Sequence, residues 1–300
     1  MHFFRSKQVV IAVLALALLC SGALVFLGFS RTPHVPIVPT QTLKKDEAIH
    51  KSIGISVQGR SLDAYTYGTG KTRLLFVGGM HGGYEWNSVL LAYEFMDFLE
   101  AHPDTLPANL SVTVIPSINP DGMHKVVGTE GRFNLTDVST DTEVLASGRF
   151  NAHEVDLNRN FDCKWKPEGT WKSKTVSAGG SPFSEPETQA LKTFMEKETP
   201  VAVVFWHSQA NAVYASECEK GILPETLAVM NVYAEASGYP AVKSFGAYEV
   251  TGDAEGWLAS VGIPAITVEL STHEAIEWDR NLSGVQALLQ YYREKTQSSR

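Results

Sequence analysis

Four short apolar runs constrain this chain more than any other feature. Residues 74–77, 110–115, 201–205 and 265–270 are each too short for a core helix, and longer stretches with apolar residues near helical spacing separate them. Short apolar runs bounded by Gly, Pro and polar turns read as buried strands. Strands that alternate with amphipathic helices build an α/β domain on a largely parallel sheet. The spacing predicts helices over 89–99, 185–197, 224–237, 253–260 and 282–294, with Ser184 as the N-cap of the second and Glu187 at its third position. Asn119-Pro120-Asp121-Gly122 reads as a turn, and 128–150 as a polar excursion rather than a core element.

With 300 residues and 44% hydrophobic content the chain can bury the core of one catalytic domain, and no internal repeat divides it. A formal charge of -8, with no basic run longer than Lys44-Lys45, excludes nucleic acid as the main partner and favours a neutral or cationic substrate. The N-terminus reads separately. Arg5 and Lys7 precede an uncharged apolar run over 9–29, close to the ~20 residues that cross a bilayer as a helix. Residues 1–30 are therefore expected to act as a transmembrane anchor, basic end in the cytoplasm, or else as a cleaved signal segment. Pro33, Pro36 and Pro39 predict an extended stalk over 31–50, which leaves 51–300 as the catalytic domain, exported to the periplasmic or extracellular side. In that oxidising setting Cys163 and Cys218 are expected to be bonded, the alternative being two small buried thiols.

The polar residues at the ends of the apolar runs carry the chemistry. His81 and Glu85 follow the first run in Gly79-Met80-His81-Gly82-Gly83-Tyr84-Glu85, and His207 ends the third in Trp206-His207-Ser208. Two imidazoles and a carboxylate are a common catalytic zinc set, which leaves one position for water. A single His after a strand is by itself an ordinary satisfied polar residue; several matched elements in order point to one Zn2+ per chain. Glu269 lies within the apolar run 265–270, where an unpaired carboxylate is costly, and is the candidate general base. In Val155-Asp156-Leu157-Asn158-Arg159-Asn160-Phe161, Asn158 and Arg159 supply forked donors suited to a carboxylate, and Arg149 could steady a developing oxyanion. The bland alternative is a surface loop that binds nothing. Asp156 and Asn160 are expected to bond local backbone.

These motifs, which span about Leu74 to Glu269, resemble the zinc metallocarboxypeptidase family of the carboxypeptidase A and B type. The resemblance implies a three-layer α/β/α sandwich on a mixed, mostly parallel sheet of about eight strands. It implies His81, Glu85 and His207 as zinc ligands, Asn158 and Arg159 as the clamp for a terminal carboxylate, Arg149 as oxyanion partner and Glu269 as general base. Tyr248, nine residues before Trp257, matches the family's mobile tyrosine. The family's first motif is His-x-x-Glu, whereas three residues separate His81 from Glu85 here, which puts Glu85 in more doubt than His81. Glu255, with Asp253, resembles the stretch that lines the pocket for the C-terminal side chain, where an acid would favour Lys, Arg or the amine of diaminopimelate. The activity implied is carboxypeptidase hydrolysis, and the chain is expected to act as a monomer. The alternatives are a zinc amidase acting on cell-wall muropeptides and, from a different class, a peptide-binding module without turnover.

Overall fold

A computed structural model describes residues 48–298, all within the compact unit Lys44–Arg300. The anchor or signal assigned to 1–30 and nearly all of the stalk assigned to 31–50 lie outside the described residues. Among the described residues no helix is long and apolar enough to cross a membrane.

Strands are numbered in chain order: β1 (Ile49–Ile55), β2 (Ser61–Tyr67), β3 (Thr72–Val77), β4 (Leu110–Ile115), the hairpin β5 (Glu168–Trp171) and β6 (Lys174–Ser177), β7 (Ala202–Ser208), β8 (Ala212–Ala215), the small hairpin β9 (Glu217–Cys218) and β10 (Gly221–Ile222), β11 (Ala241–Val242), and β12 (Ala265–Leu270). Helices are α1 (Trp86–Ala101), α2 (Pro120–Val127), α3 (Thr142–Ser147), α4 (Pro186–Glu198), α5 (Pro224–Ser237), α6 (Ala254–Ser260) and α7 (Trp278–Ser298). Eight strands form the main sheet in the order β1-β2-β4-β3-β7-β12-β8-β11. β4, β3, β7 and β12 run parallel in the middle, the β8–β11 pair is parallel as well, and the β1–β2, β2–β4 and β12–β8 pairings are antiparallel. The mixed sheet expected from the resemblance is the one observed.

Side chains alternate between the two faces of a strand, so each central strand feeds two cores. Leu74 and Phe76 of β3, Val204 and Trp206 of β7, and Val268 and Leu270 of β12 face the first, under α1, α5 and α7. Leu75, Val77, Val203, Phe205 and Ala265 face the second, under α4 and α6. α1 reaches its core through Leu91, Phe95 and Leu99, an i, i+4, i+8 stripe, and Phe76 lies between Phe95 and Trp206 with centroids 5.0 and 5.3 Å away.

Several expected boundaries move. Residues 119–122 are not a free turn: Pro120 opens α2, and Asn119 caps it by accepting a hydrogen bond from the Gly122 backbone at 2.8 Å. Pro at the first helical position leaves no unpaired donor and Asn is a favoured cap, so the same residues that signal a turn also start a helix. α4 is capped at Glu185, one residue after Ser184, whose hydroxyl instead hydrogen-bonds the Glu185 carboxylate. The excursion over 128–150 contains α3 and ends on buried Arg149. β1 begins inside the stretch assigned to the stalk. The expected Cys163–Cys218 disulfide is present, tying the loop after Asn160 to β9.

Candidate metal centre and substrate cleft

Ligand sites in parallel sheets gather at the carboxyl ends of the strands, and here three such ends meet. β3 stops at Val77 and the chain turns through Gly78–Met80 to His81; β7 and β12 lie side by side with His207 opposite Glu269. Between His81 and α1 the chain makes one tight 3-10 turn, Gly82–Glu85. Gly82 adopts φ +45°, and a Cβ there would sit 2.6 Å from the Gly148 carbonyl oxygen, so only glycine fits. The turn folds Glu85 back onto His81 despite the extra residue between them.

The result is a buried, convergent cluster. Glu85 Oε1 lies 2.8 Å from His81 Nδ1 and Oε2 lies 2.9 Å from His207 Nδ1, while the two Nδ1 atoms are 3.2 Å apart. One candidate ligand atom from each residue falls within 4.8 Å of the others. Two nitrogens bound tetrahedrally to zinc at ~2.0–2.1 Å would be separated by roughly 3.3 Å, so the spacing and the donor set fit this ion. Burial alone would raise the Glu85 carboxyl, but the two imidazoles outweigh it and hold the group well below the usual carboxylate range. For His207 burial favours the neutral ring, and the carboxylates of Glu85 and Glu255 reverse that and hold its value well up.

Behind each imidazole stands another carboxylate. Asp156 Oδ1 is 3.5 Å from His81 Nε2, and Glu255 Oε1 is 3.2 Å from His207 Nε2. Both contacts are within charge attraction, although neither is aligned as a hydrogen bond. Such outer carboxylates orient ligating imidazoles. Asp156 does more than bond local backbone: it accepts from the Asn158 backbone at 3.1 Å and also holds Arg149, whose Nε and Nη2 are 2.9 and 2.8 Å from Oδ2. Burial opposes its charge, and the Arg149 and Arg159 guanidiniums overcome this to keep the carboxyl well below its usual value. Asn160 is structural, though through distant rather than local backbone: it donates to the Ala178 carbonyl and accepts from the Glu185 backbone, 18 and 25 residues away.

Around the cluster opens a cleft of about 440 Å³, and every candidate site residue lines it: His81, Glu85, His207, Arg149, Asn158, Arg159, Tyr248, Glu255 and Glu269. Asn158 and Arg159 are buried at its floor. Asn158 Oδ1 accepts from the Ala254 backbone at the start of α6, and Nδ2 donates to Glu255 at 3.3 Å, which leaves its second hydrogen for a ligand. Arg159 donates to the Asn158 and Thr170 carbonyls, and Gly169 gives it room, since a Cβ there would meet Arg159 Cδ at 2.7 Å. Tyr248 is half-buried on the rim with its ring centroid 6.0 Å from the Arg159 guanidinium. Glu255 is not on a solvent face: its carboxylate is buried and held by Thr267, Asn158 and His207. Asp253 lines the same pocket while capping α6 through the Gly256 backbone at 2.7 Å. Desolvation, with Glu255 nearby, pushes Asp253 up to about 6. Glu269 accepts from the Ala210 backbone at 3.2 Å; desolvation, then the neighbouring Glu85 charge, raise it to about 7. Sequence reading missed Tyr84, Trp171, Lys172 and His273, which line the cleft from loops and the β5–β6 hairpin and belong to no apolar run.

A profile of the zinc carboxypeptidase family matches residues 40–278. Gamma-D-glutamyl-L-diamino acid endopeptidase 1 of Lysinibacillus sphaericus is 24% identical over 240 residues, 73% of this chain and 60% of that protein. Murein peptide amidase A of Escherichia coli K12 is 35% identical over 142 residues, 43% of this chain and 55% of that one. The chain thus spans little more than half the length of these two relatives. Among solved structures, murein-tripeptide amidase MpaA from Escherichia coli O157 superposes with a TM-score of 0.56 at 25% identity, over 81% of this chain and 91% of that one. Thrombin activatable fibrinolysis inhibitor superposes with a TM-score of 0.65 at 19% identity, over 83% and 70%, which shows the shared fold. The matched residues take in the central sheet, the convergent His-Glu-His cluster and the cleft around it, and the chain belongs to the zinc carboxypeptidase family of metallopeptidases.

Proposed function

We propose that this chain removes the C-terminal residue of its substrate by zinc-dependent amide hydrolysis, with His81, Glu85 and His207 as the zinc ligands. The observation that carries the reading is the reach of one side chain. Glu255 touches both the His207 ring at 3.2 Å and Asn158 at 3.3 Å, so a single side chain bridges the metal cluster and the carboxylate clamp. Arg159 and Asn158 hold the terminal carboxylate by charge-assisted hydrogen bonds, and Tyr248 closes over it. Zinc held by His81, Glu85 and His207 would supply Lewis acidity toward water and the scissile carbonyl. Arg149, fixed by Asp156, faces the carbonyl oxygen and stabilises the charge that develops there. Glu269, held at the cleft by the Ala210 backbone, takes the proton of the attacking water and delivers it to the leaving amine.

The leaving residue we propose is a diamino acid, as in cell-wall peptides. Two acids in the clamp pocket, Asp253 and Glu255, support this, because an ammonium group would offset their charge where Asp253 is already driven toward the neutral form. The names of the two relatives point to the same chemistry. The reading also includes a monomer working outside the cytoplasm, tethered or released at its N-terminus, supported by the apolar run over 9–29 and the Cys163–Cys218 bond. The test uses the full zinc-loaded chain on matched peptides ending in Lys, Phe or diaminopimelate, each as free acid and as C-terminal amide. Hydrolysis of free acids alone, fastest for diaminopimelate, is expected; equal cleavage of the amides would remove the clamp from the account.

A further inference from the structure

Beyond the clamp and the metal cluster, the cleft continues along the β5–β6 hairpin. Three consecutive residues of that hairpin mark successive stations. The Thr170 carbonyl receives Arg159, the Trp171 ring lies 4.8 Å beneath the Arg149 guanidinium, and Lys172 Nζ donates to the Tyr84 hydroxyl at 3.0 Å. The hairpin therefore runs from the clamp, past the carbonyl site, to the side where the acyl half of a substrate would lie. This direction rests on the substrate orientation proposed above.

At that far station stands a cation that no carboxylate among the described residues pairs with. Lys172 is exposed and lines the cleft, and its contacts are the neutral Tyr84 hydroxyl and the rings of Tyr84 and Trp171, 5.6 and 5.5 Å from Nζ. Among the described residues it pairs with no carboxylate, whereas Lys125, Lys166 and Lys192 each do. Tyr84 accepts from Lys172, so its own O–H remains free to donate into the cleft. Its ring is held edge-on between Trp171 at 5.0 Å and His273 at 4.5 Å. Tyr84 occupies the connection from His81 to Glu85, the segment one residue longer than His-x-x-Glu. The longer connection thus carries the tyrosine that positions the lysine.

We propose that Lys172, with the Tyr84 hydroxyl, binds a carboxylate carried by the residue on the acyl side of the scissile bond. A γ-linked glutamyl residue offers a free α-carboxylate there; an α-linked glutamyl residue offers its side-chain carboxylate. The γ-linked residue fits the diamino-acid reading, since both halves of such a substrate then meet opposite charge.

The test compares three substrates with the same C-terminal residue: γ-linked glutamate with a free α-carboxylate, the same compound with an α-carboxamide, and α-linked glutamate. Binding is read by calorimetry on the full zinc-loaded Glu269→Gln protein, so that turnover does not interfere, and hydrolysis is read on the wild type. Adding Lys172→Met should weaken the Kd of the free γ-linked carboxylate about fivefold, the scale of one exposed charge pair, and leave the carboxamide unchanged. Lys172→Arg should restore most of the loss. Lys174→Met removes a nearby exposed charge outside the cleft and should change neither. A larger loss on the α-linked compound would assign the same site to a side-chain carboxylate. Equal effects on carboxylate and carboxamide, no effect on either, or no binding at all would overturn the proposal. Charge-selective binding without wild-type hydrolysis would overturn the hydrolytic reading and leave the Lys172 site standing.

Discussion

The two faces of the central sheet begin alike and end differently. On one, Phe76, Trp206, Val268 and Leu270 continue an apolar core outward under α1, α5 and α7, and the single polar side chain that follows on β7, Ser208, is a neutral hydroxyl bonded to Asn87. On the other, Leu75, Val203, Phe205 and Ala265 are equally apolar, but the next positions outward are Thr267, His207 and Glu269. Trp206 and His207 are neighbours in sequence and belong to different physical regimes. The first face is held by volume and area; the outer third of the second is held by opposed charges that keep each other buried. Mutations should therefore separate the two by what they change, not only by how much.

The largest contrast comes from that neighbouring pair. Trp206→Ala should cost about 3–5 kcal/mol in urea unfolding of the metal-free protein while any folded fraction still binds zinc. His207→Ala should cost activity at least about 10³-fold, roughly 4 kcal/mol of transition-state stabilisation, together with zinc. A His207 variant that loses stability as Trp206→Ala does, yet keeps zinc, would erase the distinction.

Asp156→Asn sharpens it from the polar side. Arg149 would remain buried with its nearest counter-charge gone and only Glu85, 3.8 Å from Nη1, left to it, a loss of up to about 3–5 kcal/mol in the same unfolding measurement. Because the Asp156 carboxyl is held well below its usual value, its contribution is present above the unfolded-state value of about 4 and disappears as pH falls through the folded value. Wild type should thus lose stability in acid more steeply than the variant, and parallel acid limbs would show that Asp156 and Arg149 do not act as a pair.

Smaller effects test the outer carboxylate and the base. Glu255→Gln, by loosening His207, should weaken zinc binding about tenfold in a chelator competition and, because His207 keeps Glu85 as a second counter-charge, should cost less in urea unfolding than Asp156→Asn. Glu269 has the opposite linkage sign to Asp156. Raised to about 7, it favours the folded metal-free protein below the unfolded-state value of 4.5 and loses that contribution as pH climbs through 7. In the mechanism we propose, Glu269 works deprotonated and the nearby cation favours the carboxylate, so kcat/KM should rise with pH through an apparent value at or below about 7. Glu269→Gln should abolish that limb while retaining zinc; a limb that survives the substitution belongs to another group.

The apolar half of this comparison was largely legible in the sequence. The runs 110–115 and 265–270 are strands β4 and β12 to the residue, and α5 spans the expected 224–237, because each is buried and flanked by Pro, Gly or a cap. β1 was not legible, since an edge strand that exposes His50, Lys51 and Ser52 has no apolar run to read. In the site, the residues at strand ends stood out because a polar group ending an apolar run is conspicuous. Asp156 did not, because its partners Arg149 and His81 are joined only by the fold, and the same holds for Lys172 on a hairpin turn. The longer His81–Glu85 spacing cast doubt on Glu85, and the 3-10 turn at Gly82 resolves its position by geometry that spacing alone does not contain.

Whether one zinc sits where the polar face converges is the most direct test of this account. Anomalous diffraction collected on either side of the zinc absorption edge should show one site, with His81 Nδ1, His207 Nδ1 and the Glu85 carboxylate as its protein ligands. Zinc bound elsewhere, or held by the two histidines with Glu85 turned away, would contradict it.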